Sequence, residues 1–421
     1  MNNAPDLDLD LVRQQFPAFD EPSLEGWSFF ENAGGSYVCR QVIDRLTRYY
    51  RETRVQPYGV YPASQRAGEM MDDAHERLAE YLDVSADEVH FGPSTSQNTY
   101  VLARALRPHW NEGDEIIVTE QDHEANSGVW RQLADTGIVV REWQVEPDTG
   151  LLDVGKLDAM INLKTRLIAF PHCSNIVGEI NPVSQIATRA HRVGAITVVD
   201  GVSYTPHGLP DVEALDADVY LFSLYKVYGP HQGVMVVRQP WLERMHNQSH
   251  YFNADAGHKK LVPAGPDHAQ VAAATGVTEY FDLLHRHHYG DAATHHANAD
   301  ARERLNQRRQ EVQALLRRQE IRLLDPLLSW IKDSGRFRLI GSHEAGRRAP
   351  TLSLQLTGNP RDAARRLAAQ RIMAGAGHFY APRLLKAIGI DPDQGVLRIS
   401  FVHYTSADDI ARLQEALDSL P

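Results

Sequence analysis

The first side chain in this sequence with chemistry to offer is the lysine of "FSLYKVYGPHQG" (222–233), which follows a strongly apolar run. An amine that forms a Schiff base must spend part of its time deprotonated, and a partly desolvated site favours that. The plainer reading of Lys226 is a lysine capping the end of a strand. Asp200 closes the apolar stretch of "AITVVDG". A carboxylate at that depth needs a partner, and a protonated ring nitrogen is one; an ordinary turn or cap residue is the alternative. "GPSTSQN" (92–98) sets Ser94, Thr95 and Ser96 before a helical stretch. Hydroxyls and free helix N–H groups there can cradle an anion or simply cap the helix. His123 in "DHEAN" (122–126) could lie over a flat ring or be a loop histidine. Asn175 in "HCSNIVG" (172–178) is a hydrogen-bond donor to a ligand or a turn asparagine.

These residues need elements to carry them. "EVHFG", "DEIIVTE", "VVREWQV", "TRLIAFPHC", "AITVVDG", "ADVYLFSLYK" and "GVMVVR" read as strands, and helical patterns alternate with them. Near-continuously apolar strands alternating with helices predict a largely parallel sheet covered on both faces. Ligands of such sheets bind beyond the carboxyl ends of the strands. Asn175, Asp200 and Lys226 all fall just past such ends. Hydroxyl cradle, His, Asn, Asp and Lys, in that order, match the needs of pyridoxal phosphate (PLP), whose ring nitrogen a buried carboxylate keeps charged so that the ring can act as an electron sink. From about residue 280 the texture changes to polar helices and a few strands, which predicts a smaller α+β unit.

Bulk properties exclude several classes. The 421 residues are too many for one ordinary core and suit two domains. A net charge of −12 argues against a nucleic-acid or anionic membrane surface. Neither HExxH nor zinc-spaced Cys/His pairs occur among the 20 histidines, so no metal is expected. "HRHH" (285–288) and "HH" (295–296) are expected on a solvated helix face. Cys39 and Cys173 make no disulfide framework. The acidic start without an apolar signal core, and the lack of a membrane-length run, predict a cytoplasmic protein. No strand is followed by GxGxxG, which makes a dinucleotide oxidoreductase the weaker rival.

From "FFENAGG" (29–35) to "LRISFVHY" (397–404), the chain resembles the class V aminotransferase group of fold-type I PLP enzymes, and most closely its cysteine desulfurase and selenocysteine lyase branch. The resemblance implies an α/β fold, with a seven-stranded, mostly parallel sheet in a large PLP-binding domain (29–280). A small α+β domain (281–421) follows, and an N-terminal segment (1–28) packs on it. By position it implies that Lys226 forms the Schiff base and moves the α-proton, that Asp200 pairs with the pyridine nitrogen and that His123 stacks on the ring. Thr95, Ser96 and Ser223 would hold the phosphate. Asn175 would contact the ring hydroxyl or the substrate carboxylate, and Ser203 stands where the family often places a glutamine against that hydroxyl. Arg398 would clamp the carboxylate of a small amino-acid substrate, a task suited to a planar bidentate donor. A homodimer with active sites near its interface is also implied, although the partner-lent "GTPN" phosphate segment reads "AGPDH" (264–268) here.

The departures bear on the reaction. Desulfurases carry a cysteine in a loop resembling "GHHCA"; here "GHFYA" (377–381) has Tyr380 in its place. Tyrosine cannot accept sulfur as a persulfide. The expectation is therefore a lyase that breaks a Cβ–S or similar Cβ bond without a catalytic cysteine. Tyr380, Tyr61 or His378 would protonate the leaving group or shape the pocket. An aminotransferase or amino-acid epimerase on the same scaffold is the alternative, and a non-catalytic PLP-binding protein the third reading.

Overall fold

A computed structural model describes residues 5–290 and 301–421; the expected solvated pair His295–His296 lies outside them. Seven strands make the large, mostly parallel sheet of this α/β protein: β1 (Val89–Gly92), β2 (Glu115–Thr119), β3 (Val139–Trp143), β4 (Thr165–Pro171), β5 (Ile196–Asp200), β6 (Val219–Ser223) and β7 (Gly233–Val237). Every residue of β5, β6 and β7 is buried. That is why they read as unbroken apolar runs rather than alternating ones.

The described residues form two compact units, one drawn from 5–19, 36–110, 208–290 and 301–315, the other from 20–35, 111–207 and 316–421. In the first unit the strand order is β1-β7-β6, with β7 antiparallel to both neighbours. β1 and β6 therefore run the same way, and their carboxyl ends share one edge. In the second unit the order is β5-β4-β2-β3, and every pair is parallel. The segments following β2, β4 and β5 therefore leave the carboxyl edge of this four-stranded part together.

The second unit also holds a four-stranded sheet of β8 (Arg338–Leu339), β9 (Thr351–Gln355), β10 (Gly375–Gly377) and β11 (Val396–Ser400), in the order β10-β11-β9-β8 with antiparallel pairing. Phe30, Leu327, Leu352, Leu397 and Leu413 belong to one apolar core beneath it. No helix of the described residues is long and apolar enough to cross a membrane.

The structure corrects two readings. The "HRHH" stretch is a solvated face only in part: Arg286 and His287 are exposed, His285 and His288 are not. His285 is buried with its Nε2 2.7 Å from Glu311 Oε2. His287 pairs with the Asp8 carboxylate at 2.9 Å, and His288 Nε2 accepts the Asp8 N–H. An N-terminal helix, Leu9–Gln14, with Asp8 as its cap, brings these partners from 280 residues away. The strand ending in "SLYK" stops at Ser223, and Lys226 lies on a 3-10 turn, Leu224–Lys226. Leu224 O accepts both the Val227 and Gly229 N–H groups and tightens that turn.

Candidate active site

In the first unit the helix Thr95–Leu106 begins directly after β1, and Ser94 caps it by accepting the Gln97 N–H. Thr95 is buried with its hydroxyl 2.7 Å from that of Ser223, at the end of β6. Ser96 on the same turn is exposed. Two buried hydroxyls beside free helix N–H groups form an anion cradle in which either hydroxyl can turn to a phosphate oxygen. Gly233 closes the cradle from below. A Cβ there would stand 2.4 Å from Ser94 C and 2.6 Å from Thr95 N, both backbone atoms that cannot swing away. We expect Gly233→Ala to push the helix start outward, lowering stability by about 1–3 kcal/mol and weakening PLP affinity. Urea unfolding and PLP titration of the apoprotein read the two effects.

Lys226 is 6% exposed, three residues past Ser223. Its backbone is fixed from outside: the Ser36 hydroxyl donates to Lys226 O at 2.6 Å and the Ser36 N–H to Tyr225 O at 3.0 Å. Nζ stands 5.9 Å from the Tyr225 ring centroid, and that ring stacks on His231. The left-handed turn beyond the lysine is made by Tyr228 (φ 63°), not by Gly229, whose missing Cβ instead lets Leu224 and Val277 close in. Tyr61 is half exposed at the N-cap of the helix Pro62–Leu82.

In the second unit Asp200 is buried at the end of β5, and its Oδ1 accepts the Val202 N–H at 2.8 Å. Ser203, the residue after Val202, is buried. Asn175, buried after β4, donates its amide to Phe379 O at 2.8 Å; its Oδ1 is buried and has no hydrogen-bond partner among the described residues. An orphaned buried acceptor of this kind calls for a ligand donor. His123 Nδ1 accepts the Ala125 N–H, which leaves Nε2 to carry the proton in the neutral ring. Its ring lies 5.2 Å from that of Tyr380, tilted by 35°. His378 and Tyr380 are both exposed, and Tyr380 N donates to His378 Nδ1 at 3.1 Å. Arg398, on β11, is buried and touches both the Asn175 carbonyl and the Glu31 carboxylate. His123, Tyr380, Phe379, Asn175 and Arg398 thus form one connected group. Each unit by itself carries groups of the kind PLP needs: a hydroxyl cradle and a buried amine in the first, and a buried carboxylate, an imidazole and an orphaned amide oxygen in the second.

Three residues escaped the sequence reading. Glu31 pairs with Arg398. Phe379 lies under the same guanidinium, 3.7 Å from ring centroid to Cζ. Asp122 is buried, and its carboxyl is held well above the usual carboxylate range, first by burial and then by the negative charge of Asp200. Phe379 (φ 46°) and Tyr380 (φ 58°) are consecutive left-handed residues with large side chains. Each such residue costs about 1–2 kcal/mol, and strain of this kind collects at functional sites. It sets the Phe379 ring on Arg398 and the Tyr380 ring on His123.

Both thiols are inert. Cys39 and Cys173 are buried, and burial pushes each pKa up to about 12. The Cys173 thiol donates to Gly178 O at 3.2 Å.

The family model "Aminotransferase class-V" matches residues 28–251 and 315–413. An aminotransferase-like protein of Gibberella zeae is 32% identical over 97% of this chain and 98% of its own length. A probable cysteine desulfurase of Streptomyces coelicolor is 30% identical over 98% of this chain and 97% of its own. The fold is that of a solved cysteine desulfurase from Thermococcus onnurineus, with a TM-score of 0.82 at 22% identity, covering 99% of this chain and 98% of that one. The chain belongs to the class-V aminotransferase family of PLP-dependent enzymes and is cysteine desulfurase-like within it.

Proposed function

We propose that this enzyme is a lyase that breaks a Cβ–S, or similar Cβ, bond of a small amino acid without forming a persulfide. The observation that carries this reading is the loop Gly377–Ala381, where Tyr380 lies against His123 while both cysteines are buried, protonated and elsewhere. Bound PLP supplies the electron sink that lets bonds at Cα and Cβ of an amino acid break. Lys226 attaches the cofactor and moves the α-proton. Thr95, Ser96 and Ser223 hold the phosphate, and Asp200 holds the proton on the ring nitrogen. His123 stacks on the ring. Asn175 and Ser203 serve the ring hydroxyl, and Arg398 takes the substrate carboxylate. Tyr380, with His378 or Tyr61, protonates the departing group or closes the pocket around it.

The same proposal includes a cytoplasmic homodimer and separate cofactor (29–280) and small (281–421) domains. The apolar core built from Phe30 and residues between 323 and 420 supports the small domain.

The test is a product assay with L-cysteine and a panel of other amino acids. Keto acid, ammonia and the released β-substituent are expected, with turnover unchanged by iodoacetamide, because neither thiol is exposed as thiolate. Tyr380→Phe should lower turnover about 10²–10⁴-fold if its hydroxyl delivers the proton. Conversion of the cofactor to pyridoxamine phosphate would replace the lyase with an aminotransferase, the activity class named for the Gibberella zeae relative. Appearance of the opposite enantiomer would replace it with an epimerase. A protein that binds PLP and turns over no amino acid would be a binding protein only.

A further inference from the structure

Arg398, the proposed carboxylate clamp, is already engaged. Its side chain is 4% exposed, with Nη2 donating to Glu31 Oε1 at 2.6 Å and Nη1 to Asn175 O at 3.3 Å, while Phe379 covers one face. The chain is built to deliver Glu31 there. Glu31 forms a parallel bridge with Ser400, two residues from Arg398 on β11. The Asn32 N–H donates to Ser400 O at 3.4 Å and the Ala33 N–H to Ser400 Oγ at 2.8 Å, which locks the segment to the strand. Two glycines leave room for the carboxylate. A Cβ on Gly375 would stand 2.0 Å from Glu31 Oε2, and one on Gly34 3.0 Å from Oε1.

The contact is nevertheless incomplete. Glu31 meets the guanidinium through one oxygen, while Oε2 is buried with no hydrogen-bond partner among the described residues. A free carboxylate can make two parallel N–H···O bonds to a guanidinium, and that fork is stronger than a single-point pair. A residue placed to orient Arg398 permanently would use both oxygens. One that must leave is better held by one. The Glu31 side chain keeps 28% of its exposure, so it has a path to water.

We propose that Glu31 occupies, in the resting enzyme, the arm of Arg398 that receives the substrate carboxylate, and that the substrate binds by displacing it. This rests on the reading of Arg398 as the carboxylate clamp. Glu31 keeps a buried cation neutralised when no substrate is present. It also sets a threshold for entry, because a ligand must offer a two-point carboxylate to win the arginine.

The test uses the holoenzyme and two probes: L-cysteine, read from the shift in cofactor absorption, and propionate, a carboxylate without the amine, read as a competitor of that shift. Glu31→Gln keeps the shape and removes the competing charge. Both dissociation constants should fall about tenfold, equivalent to about 1.4 kcal/mol. Glu31→Asp, which retracts the charge by one methylene, should tighten both by less and guards against a folding defect in the first variant. Constants that stay unchanged or rise in both variants would overturn the proposal and make Glu31 a fixed support of Arg398. Arg398→Ala, measured alongside, separates the two layers. Weakening of L-cysteine binding by about 100-fold upholds the clamp and leaves Glu31→Gln to decide. Binding unchanged in Arg398→Ala would remove the clamp, and this proposal with it.

Discussion

Lys226→Ala should purify without the absorption band of a lysine-linked cofactor, and borohydride should fix no cofactor to the chain. Turnover should fall by at least about 10³-fold, since the residue that moves the α-proton is gone. The loss is expected to be local. The hydrogen bonds that hold this turn, from Ser36 to the carbonyls of Tyr225 and Lys226 and from Val227 and Gly229 to Leu224, use backbone atoms of the turn. Removing the Lys226 amine breaks none of them, so the variant should melt within a few degrees of the native protein. Lys226→Arg is the companion. A guanidinium stays protonated at any working pH, so it preserves the charge and cannot take over the linkage. The same loss of band and turnover in both variants isolates amine chemistry from charge. A Lys226→Ala protein whose cofactor borohydride still fixes would place the linkage on another lysine and remove the assignment.

The polar residues at the strand exits were legible because each announces itself locally. Lys226, Asp200, Asn175 and His123 follow strands whose residues are apolar on both faces, so a polar side chain with reactive chemistry stands out at each exit. Thr95 was legible as a hydroxyl opening a helix, and its contact with Ser223 followed from two strand ends sharing an edge. What stayed hidden depends on distant partners. Glu31 acquires its role only from Arg398, 367 residues away, and no spacing encodes that pairing. The strand Gly375–Gly377 carries one methyl group, on Ala376, and nothing to alternate, so periodicity could not reveal it; Gly375 is required by the carboxylate lying against it. His285 looked solvated because its cover, Glu311, lies on a different helix. The turn under Lys226 was read as strand because its residues are as apolar as the strand before them. The hydrogen bonds to Leu224 O, which no residue type announces, end β6 three residues early.

Asp200→Asn should keep the lysine-linked cofactor and lose turnover by about 10²–10³-fold, the scale of removing one preorganised electrostatic contact from a reacting system. The substitution separates two duties of the same side chain. Asp200 Oδ1 accepts the Val202 N–H at 2.8 Å, and asparagine can still do so. The charge that would hold a proton on the ring nitrogen is lost. Asp200→Ala loses both, so it should match Asn in turnover and unfold with about 1 kcal/mol less stability, from the unmade hydrogen bond. Asp122 provides a second readout that does not depend on activity. Its carboxyl is held up by burial and by the Asp200 charge. A buried acid with a raised pKa lets the unfolded chain release its proton first, so the folded state loses stability as pH rises from the ordinary carboxylate range through the Asp122 value. With Asp200 neutral, the Asp122 pKa should drop and that loss should shrink. Urea midpoints measured from pH 4 upward should therefore fall less steeply in Asp200→Asn than in the native protein. Parallel curves would mean that the two carboxyls do not interact. Unchanged turnover in Asp200→Asn would mean that the ring nitrogen needs no anionic partner here.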